Sequence, residues 1–281
     1  MPADDKIETV VARSKLAERF PSSTAGRRRR KYNTPPKLAR FEEHRLITRR
    51  LTDNPCRPSM NTKSLYFAGF CMKTNCVVKL GQLRRTDLRP AALILGRAMR
   101  DNPVHVRAFA ISDAERRRQA LERFFRPVLL GLHQRGLIYG AYRDDALVGI
   151  CGMAQPGFCQ PTPLEKLRVL PAVVFGNPLG AALRVRNWAD AWALRDPAGP
   201  HWHLGPVAIE PCVQRQGIGS ALLTAFCVHM DDYGAVAYLE TDRRANVPFY
   251  QKFGFTVVAE ADVMGVPNWF MSRPAGHPRQ G

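Results

Sequence analysis

A chain of 281 residues, 45% of them hydrophobic, can bury one or two cores, which excludes a wholly disordered polymer. No apolar run approaches the roughly 18 residues of a membrane-spanning helix, and the acidic opening with Asp4, Asp5 and Glu8 suits neither a signal peptide nor a transit peptide, so no membrane partner is expected. The formal net charge of +18 is uneven: residues 1–76 hold 17 Lys and Arg against 7 Asp and Glu, more than half of the excess.

Such a balance suits an anionic partner, either nucleic acid or a phosphate-bearing ligand. The run Arg27-Arg28-Arg29-Arg30-Lys31 can touch RNA or DNA. The favoured reading of residues 1–76 is instead a solvated, disordered arm, because basic clusters alternate there with Ser, Pro and Asn and no apolar period is sustained. Seven cysteines, with no Cys-x-x-Cys and no Cys/His set at zinc spacing, read as free thiols in a reducing compartment and as no metal site. The expected location is the cytoplasm, and the expected state a monomer or homodimer.

Order begins near Cys76, with a strand over Val77 to Leu83. Asp87 is placed to cap a helix carrying Leu88, Ala91, Ala92, Leu95, Ala98 and Met99 at helical spacing. Ser112 and Glu115 form a capping-box pattern ahead of a helix with Leu121, Phe124, Phe125, Val128, Leu129 and Leu132. Pro127 should kink or split that helix, and Gly136 should stop it. Strands follow over 137–143 and 146–154, joined at Asp144-Asp145. Residues 155–178, rich in Pro and Gly, give no readable pattern. Leu179 to Leu194 reads as a helix, then His201 to Ile209 as a strand. A helix runs from Ile218 to Met230, a strand over Ala235 to Thr241, and a short helix over Asn246 to Phe253, stopped by Gly254. Strands over Phe255 to Glu260 and Val263 to Ser272 close the domain, with Pro267 arguing for an edge or a bulge. Strands interleaved with helices predict an α/β or α+β domain with a mixed sheet.

One stretch organises the rest. Gln214-Arg215-Gln216-Gly217-Ile218-Gly219-Ser220 lies between the strand ending at Ile209 and the helix after it. Strand, glycine turn and helix together make a phosphate cradle: glycine permits close backbone approach, and the first helical N–H groups face the anion. Taken alone, the motif reads equally well as a tight turn before a helix.

Pro211-x-x-Gln214-x-x-Gly217-Ile218-Gly219-Ser220-Ala221-Leu222-Leu223 resembles the acyl-CoA signature of the GCN5-related N-acetyltransferase (GNAT) superfamily. Leu239-Glu240-Thr241, Asn246 and Phe249-Tyr250-x-x-Phe253-Gly254-Phe255 resemble its second signature, in the right order. The resemblance covers 77–273 and leaves 274–281 as a C-terminal tail. From Trp202 onward the chain is similar to puromycin N-acetyltransferase and its relatives, through Ala237 to Thr241, Asn246 to Tyr250 and Asn268 to Arg273. The resemblance implies a mostly antiparallel sheet flanked by helices and splayed between its fourth and fifth strands. It implies acetyl-CoA as co-substrate, without a metal, and an amine acceptor.

Acetyl transfer to an amine needs a deprotonated amine, a polarised thioester, alignment of the two and a protonated leaving thiolate. By resemblance, the N–H groups from Arg215 to Ser220 hold the pyrophosphate, with the Arg215 side chain adding charge. The open strand end Val207-Ala208-Ile209 pairs with the pantetheine arm, and the N–H of Ile209 polarises the thioester oxygen. Asn246 binds that arm or caps its own helix. Tyr250 protonates the thiolate, and Glu240 accepts the ammonium proton or binds the ammonium; Glu210 and His203 are weaker rivals for the base. Cys212 lies close to the glycine turn, but the sequence shows no base beside it that would make it a nucleophile. Phe124, Phe125, Phe158, Trp188 and Trp192 are candidates to line the acceptor pocket or are ordinary core. The favoured acceptor is a small-molecule primary amine. The alternatives are a protein N-terminus or lysine, or a non-catalytic acyl-CoA sensor whose basic arm binds nucleic acid.

Overall fold

The structure is a computed structural model and describes residues 78–276. The expected basic arm, its disorder and most of the expected C-terminal tail lie outside the described residues. Within them, one sheet holds seven strands: β1 (Val78–Gln82), β2 (Gly136–Arg143), β3 (Ala146–Ala154), β4 (Trp202–Ile209), β5 (Ala237–Thr241), β6 (Thr256–Val263) and β7 (Val266–Arg273). Their order across the sheet is β1-β2-β3-β4-β5-β7-β6. Neighbours are antiparallel except β4 and β5, which run parallel.

The period-two alternation of a strand sends side chains to two separate cores. Ile150, Ala208, Tyr238 and Phe270 enter one; Cys151, Leu204, Leu239 and Met271 enter the other. Helices α1 (Leu88–Ala98), α2 (Pro103–Phe109), α3 (Ala114–Arg135) and α5 (Ala181–Ala193) cover the first. Helices α6 (Ile218–Asp232) and α7 (Val247–Gln251) cover the second. Helix α4 (Pro163–Val174) lies against α3 and α5. A fully buried Leu or Phe contributes about 1.5–3 kcal/mol by leaving water, against about 0–1 kcal/mol for an exposed ion pair, so the two cores dominate stability.

β4 and β5 pair only at Trp202 with Ala237 and His203 with Tyr238. Beyond that β4 stays on β3 as far as Ile209, while β5 stays on β7 as far as Thr241. The splay expected between the fourth and fifth strands is therefore present, and it opens on the side where α6 begins.

Several local expectations change. The cap of α3 is Asp113, whose carboxylate accepts from the Arg116 N–H at 2.7 Å, so the Ser112 and Glu115 box does not form. Asp87 precedes α1, but its carboxylate takes the Arg84 guanidinium and the Tyr142 hydroxyl, each at 2.8 Å, instead of capping. Pro127 neither ends nor splits α3, which continues to Arg135. Buried Phe124, Phe125 and Leu129 around it offset the lost backbone bond. Residues 155–178 hold α4, opened by a capping box between Thr162 and Glu165 with Pro163 in its first turn. β7 is an interior strand. Pro267 is tolerated because β5 pairs with β7 only from Trp269 to Arg273, so no partner on that side needs the missing N–H.

Replacing Asp113 by Ala is expected to cost about 1 kcal/mol, or a fall of a few degrees in Tm, while Ser112→Ala leaves Tm within about one degree. Thermal denaturation of both variants checks the assignment of the cap.

Candidate functional site

The glycine turn hangs from the end of β4. A single 3-10 turn over Pro211–Val213 reverses the chain, Arg215 takes φ +64° and Gly217 takes φ +83°, and α6 starts at Ile218. Two left-handed residues two positions apart fold the N–H groups of the turn inward, as in an anion-binding nest. A non-glycine residue at positive φ is strained, and such strain concentrates at functional turns. No side chain caps α6, so the N–H groups of Ile218, Gly219 and Ser220 keep their positive end of the dipole available. Two bonds brace the turn: Arg143 Nη2 donates to Gln216 Oε1 at 2.7 Å, and Gln214 Nε2 donates to the Ile209 carbonyl at 3.0 Å.

The open edge of β4 follows from hydrogen-bond parity. The Glu210 N–H donates to the Val148 carbonyl at 2.9 Å. In an antiparallel ladder alternate residues bond the partner. Ala208 therefore bonds β3 opposite Ile150, while the main-chain groups of Val207 and Ile209 turn toward the seam that β5 has left. Val207 and the Ile209 N–H are thus an open strand edge, with Ala208 as the spacer between the two residues and the Ile209 carbonyl held by Gln214.

A single cavity of about 1460 Å³ follows this seam. Its lining includes Gln214, Arg215, Gly217, Ile218, Gly219 and Ser220 at one end and Phe124, Phe125, Phe158, Trp188 and Trp192 at the other. Val207, Ile209, Glu240, Asn246 and Tyr250 line it as well. The residues singled out from separate stretches of sequence thus share one space, apart from Ala208, Glu210, Cys212 and Gln216.

Glu240 is on β5 with its side chain only 2% accessible. Its Oε2 accepts from His203 Nε2 at 2.8 Å, and its Oε1 is buried without a hydrogen-bond partner among the described residues. Burial disfavours the charged form of His203, but the charge of Glu240, the Cys159 sulfur and Asp196 outweigh it and hold the imidazole well above its ordinary pKa. His203 is therefore a partner of the carboxylate and not a free base. Glu210 is also no rival: Arg97 grips it with two bonds, at 2.8 and 2.6 Å, tying α1 to the end of β4. Tyr250, on α7, has its pKa raised by burial first and then by Cys151 and Asp242, so it stays a neutral donor. Asn246 does not cap α7 with its side chain; Nδ2 donates to Thr241 Oγ1 at 3.2 Å, at the end of β5.

Two features escaped sequence reasoning. His105 stands edge-on to Phe125 and Trp188 with ring centroids 5.8 and 5.1 Å away, and burial lowers its pKa, so a neutral imidazole interrupts the aromatic wall. Asp242 accepts from the Val104 N–H at 2.8 Å and so anchors the start of α2 beside the cavity. A His on a helix and an Asp after a strand carry no signal by themselves; only the fold brings them to the pocket.

The sequence profile of the Acetyltransferase (GNAT) family matches residues 103–255, more than half of the chain. Among solved structures, a histone acetyltransferase HPA2 and related acetyltransferase from Corynebacterium glutamicum is similar with a TM-score of 0.55 and 21% identity, covering 72% of this chain and 98% of that one. The PaiA N-acetyltransferase of Thermoplasma acidophilum in complex with coenzyme A gives 0.45 and 16%, covering 70% and 98%. An N-acetyltransferase from Staphylococcus aureus Mu50 gives 0.43 and 12%, covering 70% and 98%. The Corynebacterium likeness supports the fold, and identities this low carry nothing about the acceptor.

Gly217→Ala forces a side chain into the left-handed region at a cost of about 1–2 kcal/mol. It is expected to weaken coenzyme A binding by roughly ten-fold as the turn relaxes, while Glu210→Gln, which loosens only the brace to Arg97, leaves the affinity within about two-fold. Isothermal titration calorimetry with coenzyme A measures both.

Proposed function

The chain belongs to the Acetyltransferase (GNAT) family, and from there we propose that it moves the acetyl group of acetyl-CoA to the primary amine of a small molecule, by direct attack in a ternary complex. The observation that carries this reading is the one cavity joining the glycine turn, the open edge of β4 and the aromatic wall around Glu240.

Acetyl-CoA supplies an activated acyl group as its thioester. The inward N–H groups from Arg215 to Ser220 suit a diphosphate, and the outward groups of Val207 and Ile209 suit the amides of an extended arm, added to β4 like a strand. The N–H of Ile209 then donates to the carbonyl oxygen as negative charge develops there. Glu240 Oε1, buried and unpartnered, first holds the ammonium and then takes its proton; the amine nitrogen attacks the carbonyl carbon. As the C–S bond breaks, Tyr250 gives its phenolic proton to the sulfur and is reprotonated by the second proton, which the nitrogen sheds in becoming an amide, while the first leaves Glu240 for solvent. One proton is released for each amide formed.

The acceptor is argued from the wall. Phe124, Phe125, Trp188 and Trp192 form a chain of ring contacts at 5.1–6.1 Å between centroids, edge-to-face except for the tilted Phe124–Trp188 pair, which suits a flat or amphipathic molecule better than an extended peptide. An amino-acid-like or nucleoside-like amine is such a molecule.

Tyr250→Phe and Glu240→Gln are each expected to lower kcat about a hundred-fold or more with little change in acetyl-CoA affinity. The assay is free-thiol release across a panel of small amines, with puromycin, polyamines and a ribosomal-protein peptide included. Turnover confined to the peptide would overturn the acceptor assignment. Acetyl-CoA binding with no turnover on any amine would favour the sensor reading.

A further inference from the structure

Beside Glu240, four donor side chains from three separate loops and strands converge. Cys159 follows β3, Asp196 follows α5, and His201 and His203 flank the first residue of β4, two positions apart and hence on one side of the strand. Cys159 Sγ lies 3.4 Å from His201 Nε2, and His203 Nδ1 lies 3.7 Å from Asp196 Oδ1. The ligand atoms of Cys159, His201 and His203 fall within 4.8 Å of one another, as do those of Asp196, His203 and Glu240.

The outer contacts orient both rings. His201 Nδ1 lies 2.9 Å from the Gly199 carbonyl, an acceptor, so the N–H is there and the Nε2 lone pair faces the Cys159 sulfur. His203 Nε2 lies 2.8 Å from the Glu240 carboxylate, also an acceptor, so an N–H is there, and Nδ1, which faces Asp196, is the nitrogen that would give up its proton to a metal. A carbonyl or carboxylate behind each imidazole is the arrangement that orients histidines on a metal. A second observation is independent of the spacing. His203 Nδ1 and Asp196 Oδ1 are both buried with no hydrogen-bond partner among the described residues. Held as an imidazolium, His203 pairs with Asp196 only across 3.7 Å, too long for a hydrogen bond, and a metal ion that displaces that proton would satisfy both atoms. Gln160 Nε2 holds the other Asp196 oxygen at 2.5 Å, so Oδ1 has a set direction.

We infer that Cys159, His201 and His203, whose ligand atoms form one group within 4.8 Å, bind one Zn²⁺ as a structural site, and that Asp196, from the neighbouring group that shares His203, closes on the ion as the fourth ligand. Zinc bonds of about 2.0–2.3 Å at the tetrahedral angle set ligand atoms roughly 3.3–3.6 Å apart, close to the two separations here. One thiolate, two imidazoles and one carboxylate suit Zn²⁺ over the harder Mg²⁺ or Ca²⁺. The ion would fasten the chain after β3 and the chain after α5 to the start of β4, making the rear wall of the acceptor end of the cavity. Glu240 would support it through His203 Nε2, keeping Oε1 free for the amine. The cluster spans 159–203 with no short Cys/His spacing, which is why the sequence reading expected no metal. The inference does not depend on acetyl transfer.

The test uses tag-free, full-length protein stripped with a chelator and titrated with Co²⁺, then with Zn²⁺. Expected are saturation at one equivalent, the intense visible bands of tetrahedral cobalt, a near-ultraviolet sulfur-to-cobalt charge-transfer band, and bleaching of both by Zn²⁺. Cys159→Ser should abolish the charge-transfer band, and His201→Ala should weaken Zn²⁺ by more than the roughly 10–100-fold that loss of a supporting partner costs. Circular dichroism of the variants checks folding. Weak six-coordinate cobalt bands in the wild-type protein would overturn the inference, as would a charge-transfer band that survives in folded Cys159→Ser.

Discussion

β4 and β5 exchange hydrogen bonds over two residue pairs and then separate, each still held on its outer side by an antiparallel neighbour. Backbone groups buried away from water must be paired. A strand edge left open inside a protein is therefore stable only where water or a ligand can reach it, and here a cavity runs along it. Every candidate site residue takes its place from this one parting. The glycine turn sits at the far end of β4, Glu240 stands near the end of β5, and α7 carries Tyr250 across from the opening.

The gap needs bracing, because pairing would otherwise tend to close it. Arg97 clamps Glu210 and so ties the end of β4 to α1. Asn246 ties the start of α7 to Thr241 on β5, and Asp242 ties the end of β5 to α2. Each of these bonds is modest by itself, of order 1–3 kcal/mol where a charge takes part. Together they set which groups point into the gap. Glu210 shows the consequence: a carboxylate beside the cradle, a plausible base from its position in the chain, is consumed as a brace.

The aromatic end has a different logic. Helices α3 and α5 do not belong to the cradle, yet they close the cavity with Phe124, Phe125, Trp188 and Trp192. Neutral His105 sets one polar point in that wall, and Glu240 sets an anionic one. The flat cationic amine we propose would meet both kinds of contact there, which is how a shared fold can acquire a particular acceptor without changing its cofactor end.

Much of this was legible in the residues. The strand, glycine turn and helix around Gly217 are local, because left-handed φ and helix initiation depend on a few consecutive residues. The alternation in β2, β3 and β7 showed in the same way. Thr162-Pro163-Leu164-Glu165 is also a local signal, and α4 went unread only because the surrounding prolines and glycines masked it. Asp113 in place of Ser112 is a one-residue error of the kind expected when two adjacent residues can both cap. By itself, then, the sequence determined most of the elements, the glycine turn and the family, since each rests on short-range geometry. Tertiary structure alone decided that Arg97 takes Glu210, that His105 enters the aromatic wall, and that Cys159 meets His201 across 42 positions. Those outcomes depend on which side chains meet when two cores close around one sheet, and no local period encodes that.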